Sequence, residues 1–416
     1  MTQQSLKKKR RDFWEHPWSY MESFFIGTGL LLTGFMMEIF FPSQEEFLIT
    51  YPENVFGLGA YVVLLFIVYY KFSDIQLIRW LTKVPASISS IVLVTFMVMI
   101  MGVVPQIPSE NTNISTLGLN HITTHWAFLL ILLQFLTCLG LVSVKRIMQF
   151  SWSNFGFVVS HLGLFIAIAA GVLGSGDLER LSLNVYEGKP SIMAYNDAEE
   201  EVELPFAIYL NDFIIKEYNP KLALVDNKTG SIAHNNGKNL YLVEKGETYY
   251  FKQYKVHIDD FLENAGKHGI NYFFVNEVGS PPAAKVTVTN TEDNSVVKGW
   301  ISSGSFRYPY QSLKISDDFS IVMTIPEPKE FSSDIDILTK EGERINTTLL
   351  VNEAFYYKGW DIYQLSYDEK MGKWSDLSVV ELVRDPWLPV IYSGIFMMII
   401  GAMNMFWLGN KINKED

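Results

Sequence analysis

The residue of this chain best suited to chemistry is His161, in the run Phe155-Gly-Phe-Val-Val-Ser-His-Leu-Gly-Leu-Phe165. An ionisable residue in an apolar run of spanning length is rare and usually faces the interior of a helix bundle. A neutral imidazole there is suited to an axial bond with haem iron. Gly156 and Gly163 flank it, and Gly171, Gly174 and Gly176 follow. Small residues let another helix, or a flat ligand, come close to the backbone. The competing reading is a histidine hydrogen-bonded to a neighbouring helix for packing. Carried haem usually has two axial ligands, and this chain has one mid-membrane histidine. If His161 binds haem, the second ligand is expected from another polypeptide or a second copy.

His121 and His125, in Asn120-His-Ile-Thr-Thr-His-Trp126, form a second constellation. At i,i+4 they would share one face if a helix already ran there. That spacing suits zinc or copper, but two ligands without acidic or Cys partners make a weak site. The competing reading is a polar helix start, with Trp126 as an interfacial anchor. His16, His234, His257 and His268 have no metal spacing and read as solvated or structural. The pairs Asp259-Asp260 and Asp317-Asp318 read as solvated strand ends or turns. The one cysteine, Cys138, lies in an apolar run. It excludes an intrachain disulfide and any C-x-x-C for thiol exchange or covalent haem attachment. There is no phosphate loop, nucleophile elbow or triad. Glu38 is the only acid within an expected span, so the pattern is unlike that of an ion-coupled transporter.

The elements that would position these residues are six apolar runs, each long enough to cross roughly 30 Å of hydrocarbon at 1.5 Å per residue. They are Ser23–Phe41, Val55–Tyr70, Ala86–Val104, Trp126–Val144, Asn154–Ser175 and Trp387–Leu408. The second is the shortest, with a re-entrant or interfacial helix as its alternative. Segment 1–20 carries five Lys/Arg, and further basic residues fall at Lys71, Arg79, Lys83, Lys145, Arg146, Lys411 and Lys414. Loops 42–54 and 105–124 carry none. Positive residues mark cytoplasmic loops, so both termini are expected inside. The basic N-terminus lacks a cleavage pattern and reads as a retained anchor. His161 would then lie about seven residues into the fifth span, roughly 10 Å from its cytoplasmic end.

Segment 177–386 is expected outside, close to the outer leaflet. It reads as strands at Phe206–Ile215, Leu240–Val243, Thr248–Ile258, Ala284–Thr289, Phe319–Ile325, Thr347–Val351 and Trp360–Tyr367, divided by turn clusters. An antiparallel sandwich or open barrel is the expected class. The fold class is therefore an α-helical membrane protein of six transmembrane helices with a large all-β extracytoplasmic domain between helices five and six. From Asp177 to Asp385 the chain has 34 acids against 21 Lys/Arg, a net of −13. Such a domain argues against nucleic acid and favours solubility or a basic partner.

From about residue 86 to 408 the chain resembles the ResB/CcsB family of cytochrome c biogenesis proteins. Ser160-His-Leu-Gly-Leu-Phe165 looks like its membrane histidine motif, and Leu204-Pro-Phe-Ala-Ile-Tyr-Leu-Asn-Asp-Phe213 like the strand that opens its outer domain. The most specific likeness is Thr348-Leu-Leu-Val-Asn-Glu-Ala-Phe-Tyr-Tyr-Lys-Gly-Trp-Asp-Ile-Tyr-Gln-Leu-Ser-Tyr367, and Arg384-Asp-Pro-Trp-Leu-Pro-Val-Ile-Tyr-Ser-Gly394 also fits. Glu353-Ala-Phe departs from the proline common after the Asn, and no tryptophan-rich channel half follows the last span. Residues 1–85 form an N-terminal segment and an extra hairpin, 86–176 the core spans, 177–386 the β domain and 387–416 the last span and tail.

The resemblance implies a stand-alone subunit working in system II with a CcsA-like membrane protein. Haem b, carried and not covalently bound, would pass from the cytoplasmic side to apocytochrome c outside, where thioether bonds form at its Cys-x-x-Cys-His motif. By similarity His161 is an axial ligand and the opposing ligand is on the partner. A thioredoxin-like thiol reductant is a further implied partner, and a bacterial inner membrane the implied location, with the large domain periplasmic. The thioether chemistry is expected mainly on the partner, so the chain is not read as an enzyme by itself. Two other readings stand beside this one: a membrane scaffold whose β domain binds a protein partner, and a subunit devoted to one cytochrome, such as an outer-face nitrite reductase.

Overall fold

The computed structural model describes residues 14–43, 49–106, 117–234 and 238–412. The chain divides into two compact units, Met1–Leu178 with Asp385–Asp416, and Glu179–Arg384.

The first unit is helical. Its helices are α1 (Tyr20–Phe40), α2 (Glu53–Phe72), the short α3 (Gln76–Leu81), α4 (Val84–Val103), α5 (Trp126–Met148), α6 (Phe155–Leu173) and α7 (Leu388–Ile412). All but α3 are long and apolar enough to cross a membrane. The second run forms a full helix of 20 residues. Large apolar side chains such as Phe25, Leu32, Phe56, Leu64, Phe96, Met99, Phe396 and Ile400 are exposed on these helices. A water-soluble bundle would bury such a ring of apolar surface, whereas lipid solvates it. The chain is a membrane protein.

The helix α5 is central and packs on α1, α2, α4 and α6. The first two helices are built into this bundle. A Cβ on Gly34 of α1 would fall 2.2 Å from Ala127 Cα of α5, and one on Gly140 of α5 would fall 2.5 Å from Leu65 of α2. Helices that touch through glycine bring their backbones together, which is how association is stabilised where lipid is as apolar as leucine. The Tyr61 and Thr137 hydroxyls add a hydrogen bond of 2.8 Å between α2 and α5.

The second unit is all β. Its eight-stranded antiparallel sheet has the order β15 (Arg344–Leu350), β14 (Pro328–Thr339), β3 (Glu201–Glu217), β2 (Pro190–Tyr195), β1 (Glu179–Tyr186), β18 (Leu377–Arg384), β17 (Trp360–Tyr367) and β16 (Phe355–Tyr357). The first strand, β1 (Glu179–Tyr186), pairs with the last, β18 (Leu377–Arg384), so both ends of this unit lie side by side. Between β3 (Glu201–Glu217) and β14 (Pro328–Thr339), which pair with each other, the chain inserts two four-stranded sheets. They share a core of Leu222, Leu224, Phe251, Val256, Val286, Ile301, Ile321 and Met323. The large sheet has its own core around Leu183, Phe206, Ile208, Leu210, Ile337, Ile362 and Leu382.

The sandwich class and the seven expected strand regions are present, but among the described residues ten strands lie outside those regions. They are β1, β2, β14, β16 and β18 of the large sheet, β4 (Lys221–Asp226), β11 (Val296–Ser302) and β12 (Leu313–Lys314) of the smaller sheets, and the paired β8 (Ala265–His268) and β9 (Asn271–Phe274). The alternation Glu-Arg-Leu-Ser-Leu-Asn-Val-Tyr in β1, with Leu181, Leu183 and Val185 buried, is a readable strand signal. The expected strand Thr248–Ile258 is in fact two strands of a tight hairpin, β6 (Thr248–Phe251) and β7 (Tyr254–Leu262). Its turn carries Lys252 at φ 51° in place of glycine or asparagine, so no turn residue announces it.

Candidate functional site

The glycines of α6 define one face of that helix and leave His161 on another. A Cβ on Gly163 would lie 2.5 Å from the Gly394 carbonyl oxygen of α7, and a Cβ on Gly401 would lie 2.5 Å from Ser160 N. Gly156 meets Gly401 in the same way, with the Gly401 carbonyl oxygen 2.8 Å from its would-be Cβ. Glycines seven apart on each helix thus bring the two antiparallel backbones into contact. At 100° per residue, His161 points well away from the stripe of Gly156, Ser160 and Gly163.

The imidazole is half-buried and held from within its own helix. His161 Nδ1 lies 3.0 Å from the Phe157 carbonyl oxygen. A carbonyl can only accept, so Nδ1 carries the proton and Nε2 carries the lone pair. Among the described residues Nε2 has no hydrogen-bond partner. The Phe157 ring stacks on the imidazole with centroids 3.7 Å apart and planes 21° apart. The hydrogen bond to a neighbouring helix that a packing histidine would make is not formed among these residues. A fixed tautomer and an unpartnered Nε2 on a half-buried ring fit a nitrogen ligand for haem iron.

His121 and His125 do not share a helical face, because α5 starts at Trp126 and His125 is its N-cap. They meet instead at Glu38, near the end of α1. Its buried carboxylate accepts from His121 Nε2 at 3.1 Å, Ser43 N at 2.9 Å, Ser43 Oγ at 3.0 Å and Trp126 N at 3.1 Å. Both nitrogens of His125 are engaged: Nδ1 accepts from Ala127 N at 2.9 Å, and Nε2 donates to the Leu117 carbonyl at 3.0 Å. Spacing could not show Glu38 beside these histidines, 83 residues from His121. The arrangement ties α1 to the start of α5. No group of three or more His, Cys, Asp or Glu side chains among the described residues is arranged to hold a metal.

A second carboxylate works similarly just after α6. Asp177 accepts from Tyr51 N at 2.7 Å, Asn54 Nδ2 at 2.8 Å and Trp387 Nε1 at 2.6 Å. It joins the starts of α2 and α7 to the end of α6, a role the sequence did not announce. The remaining candidates are dispersed. His257 faces Thr248 across a strand pair at 2.9 Å, and His16 stacks on Trp18. Asp260 pairs with Lys245, Asp317 with Lys314 and Asp318 with Lys228, while Asp259 accepts from Thr287. His268 and His234 are exposed. Cys138 is a buried free thiol.

Residues 282–379, which run through the last strands of both β cores, match the ResB-like family. This segment is similar to the ResB-like family. The match includes Asn352, Gly359 and the Ile362-Tyr-Gln-Leu-Ser-Tyr367 run, and His161 lies outside it. No curated protein matches the chain. The similarity of this segment to the ResB-like family suggests a role in cytochrome c biogenesis in general terms.

Proposed function

We propose that this ResB-like chain is the haem-handling subunit of a system II cytochrome c synthase complex in a bacterial inner membrane. It works with a CcsA-like partner, its termini cytoplasmic and its β domain periplasmic. Haem b is carried non-covalently and delivered to apocytochrome c, with a thioredoxin-like reductant keeping the client thiols reduced. The observation that carries this reading is the geometry of His161. Its Nδ1 proton is committed to the Phe157 carbonyl, and among the described residues its Nε2 lone pair has no partner.

When bound, haem supplies the vinyl groups that the client cysteines attack. The residues of this chain have a narrower task. Phe157 orients the imidazole by hydrogen bond and by stacking, while the glycine contact of α6 with α7 holds the helix that carries it. His161 would supply one nitrogen ligand to the haem iron through Nε2, and a further ligand would have to come from another polypeptide. His121 and His125 serve the Glu38 clamp in this reading.

The test is to co-express the chain with its CcsA-like partner and compare haem spectra with and without His161→Ala. Loss of the bis-ligated spectrum, restored by added imidazole, is expected. An unchanged spectrum would leave His161 as a packing residue and favour a scaffold that binds a protein partner through its β domain.

A further inference from the structure

The Phe157 ring that stacks on His161 also carries a cation. Arg146, in the last turn of α5, places its guanidinium carbon 5.1 Å from the Phe157 ring centroid. Arg146 is exposed and, among the described residues, has no carboxylate partner and no hydrogen bond. A guanidinium lying against an aromatic face keeps its hydrogen-bonding edge available. Long basic side chains at a membrane boundary lay their stems on apolar surface and keep their heads at the interface. About one turn after Phe157 on the same helix stands His161, whose Nε2 has no hydrogen-bond partner among the described residues. Metal-binding nitrogen, aromatic wall and unpaired cation are thus arranged in sequence from the bundle interior to its end.

We propose that Arg146 is the anion-binding residue of the His161 site and pairs with a carboxylate of the ligand held there. This inference rests on the reading of His161 as an axial ligand. The ligand class it selects is a flat, largely apolar, metal-bearing ring with ionised carboxylates on one edge. The ring is solvated by the helices and the carboxylate edge by the guanidinium. Arginine suits the task because its planar fork matches a carboxylate with two parallel hydrogen bonds, which an ammonium cannot do. A basic residue in the last turn of α5 also interacts favourably with the helix dipole. That role alone would be indifferent to the ligand, which makes the two separable.

The purified full-length chain in lipid nanodiscs would be titrated with ferric protoporphyrin IX and, separately, with its dimethyl ester, which has no free carboxylate. Wild type, Arg146→Gln, Arg146→Lys and His161→Ala would be compared by absorption spectrum and affinity. Arg146→Gln is expected to weaken binding of the free acid about tenfold, leave the ester unchanged and keep the axial-ligand spectrum. Arg146→Lys retains the charge without the fork and falls between. Equal affinities of wild type and Arg146→Gln for the free acid, or equal losses with acid and ester, would overturn the assignment. Failure of the underlying reading shows elsewhere: His161→Ala would then bind both porphyrins with the wild-type spectrum.

Discussion

The two kinds of histidine in this bundle differ in what their ring nitrogens have left to offer. His125 has none: one nitrogen caps α5 and the other donates to Leu117. Among the described residues His161 keeps Nε2 free, because the one hydrogen bond it makes there is to the carbonyl one turn back. His125→Ala is therefore expected to destabilise the bundle by about 1 kcal/mol or more through loss of the cap, seen as a lower melting temperature, with haem binding unaffected. In the β domain the informative residue is Asp336. Its buried carboxylate pairs with Arg344 and accepts from Asn211 and Asn346. The Arg344 guanidinium and these amides hold its pKa at about 2, below the ordinary 3.8. A lowered carboxylate pKa adds stability above the unfolded value, and that stability is lost as pH falls through the folded one. The stability difference between wild type and Asp336→Asn should accordingly be constant above about pH 5 and shrink between pH 3.8 and about 2. A difference that grows on acidification would contradict this account.

At the scale of elements, helix contacts rest on absent side chains and on two carboxylates, Glu38 buried and Asp177 half-buried. The α6–α7 pair is the plainest case, since Gly163 and Gly394 each face the other's backbone oxygen within 2.6 Å of where a Cβ would stand. Gly163→Leu cannot be absorbed by a rotamer change, because backbone is what it meets. The expected cost is about 1–3 kcal/mol or more, with the haem spectrum of the complex weakened because α6 carries His161. A wild-type spectrum and melt for that variant would show that the helices separate freely. Glu38→Gln tests the other device. A glutamine would turn an amide donor towards one of the present donors, leaving a buried polar group unmatched at about 1–3 kcal/mol. Lower detergent resistance of the full chain is the expected result.

At the scale of the whole molecule, the two units have separate cores. The β unit closes on itself, with β1 against β18, and buries two apolar clusters of its own. Residues 179–384 expressed alone should therefore fold, giving a β-type circular dichroism spectrum and a cooperative melt. An aggregated or molten product would mean that the membrane unit is needed for folding. The helical unit lacks such independence within itself. Its first two helices meet α5 through Gly34 and Gly140, so removing residues 1–85 exposes polar and glycine surface on α5 and should sharply reduce the yield of folded protein.

The six spans were legible because a membrane imposes a length and an apolar composition on each helix, and both are local properties of the chain. His161 was legible for the same reason: one ionisable residue in such a run stands out without any knowledge of its neighbours. The resemblance to the ResB-like family was carried by contiguous strings, the strongest of them around Asn352 to Tyr367, within the segment that matches. What the chain did not disclose were juxtapositions. Glu38 meets His121 and Trp126 only because α1 lies against the start of α5, and Asp177 meets Trp387, 210 residues on, only because α6 and α7 pack through their glycines. The nesting of one sandwich between β3 and β14 was equally hidden, since strand pairing depends on partners far apart in sequence. Tautomer and free lone pair at His161, and the stacking of Phe157 between it and Arg146, are likewise matters of geometry. Periodicity says which residues can be inside, but only the packed fold decides what they touch.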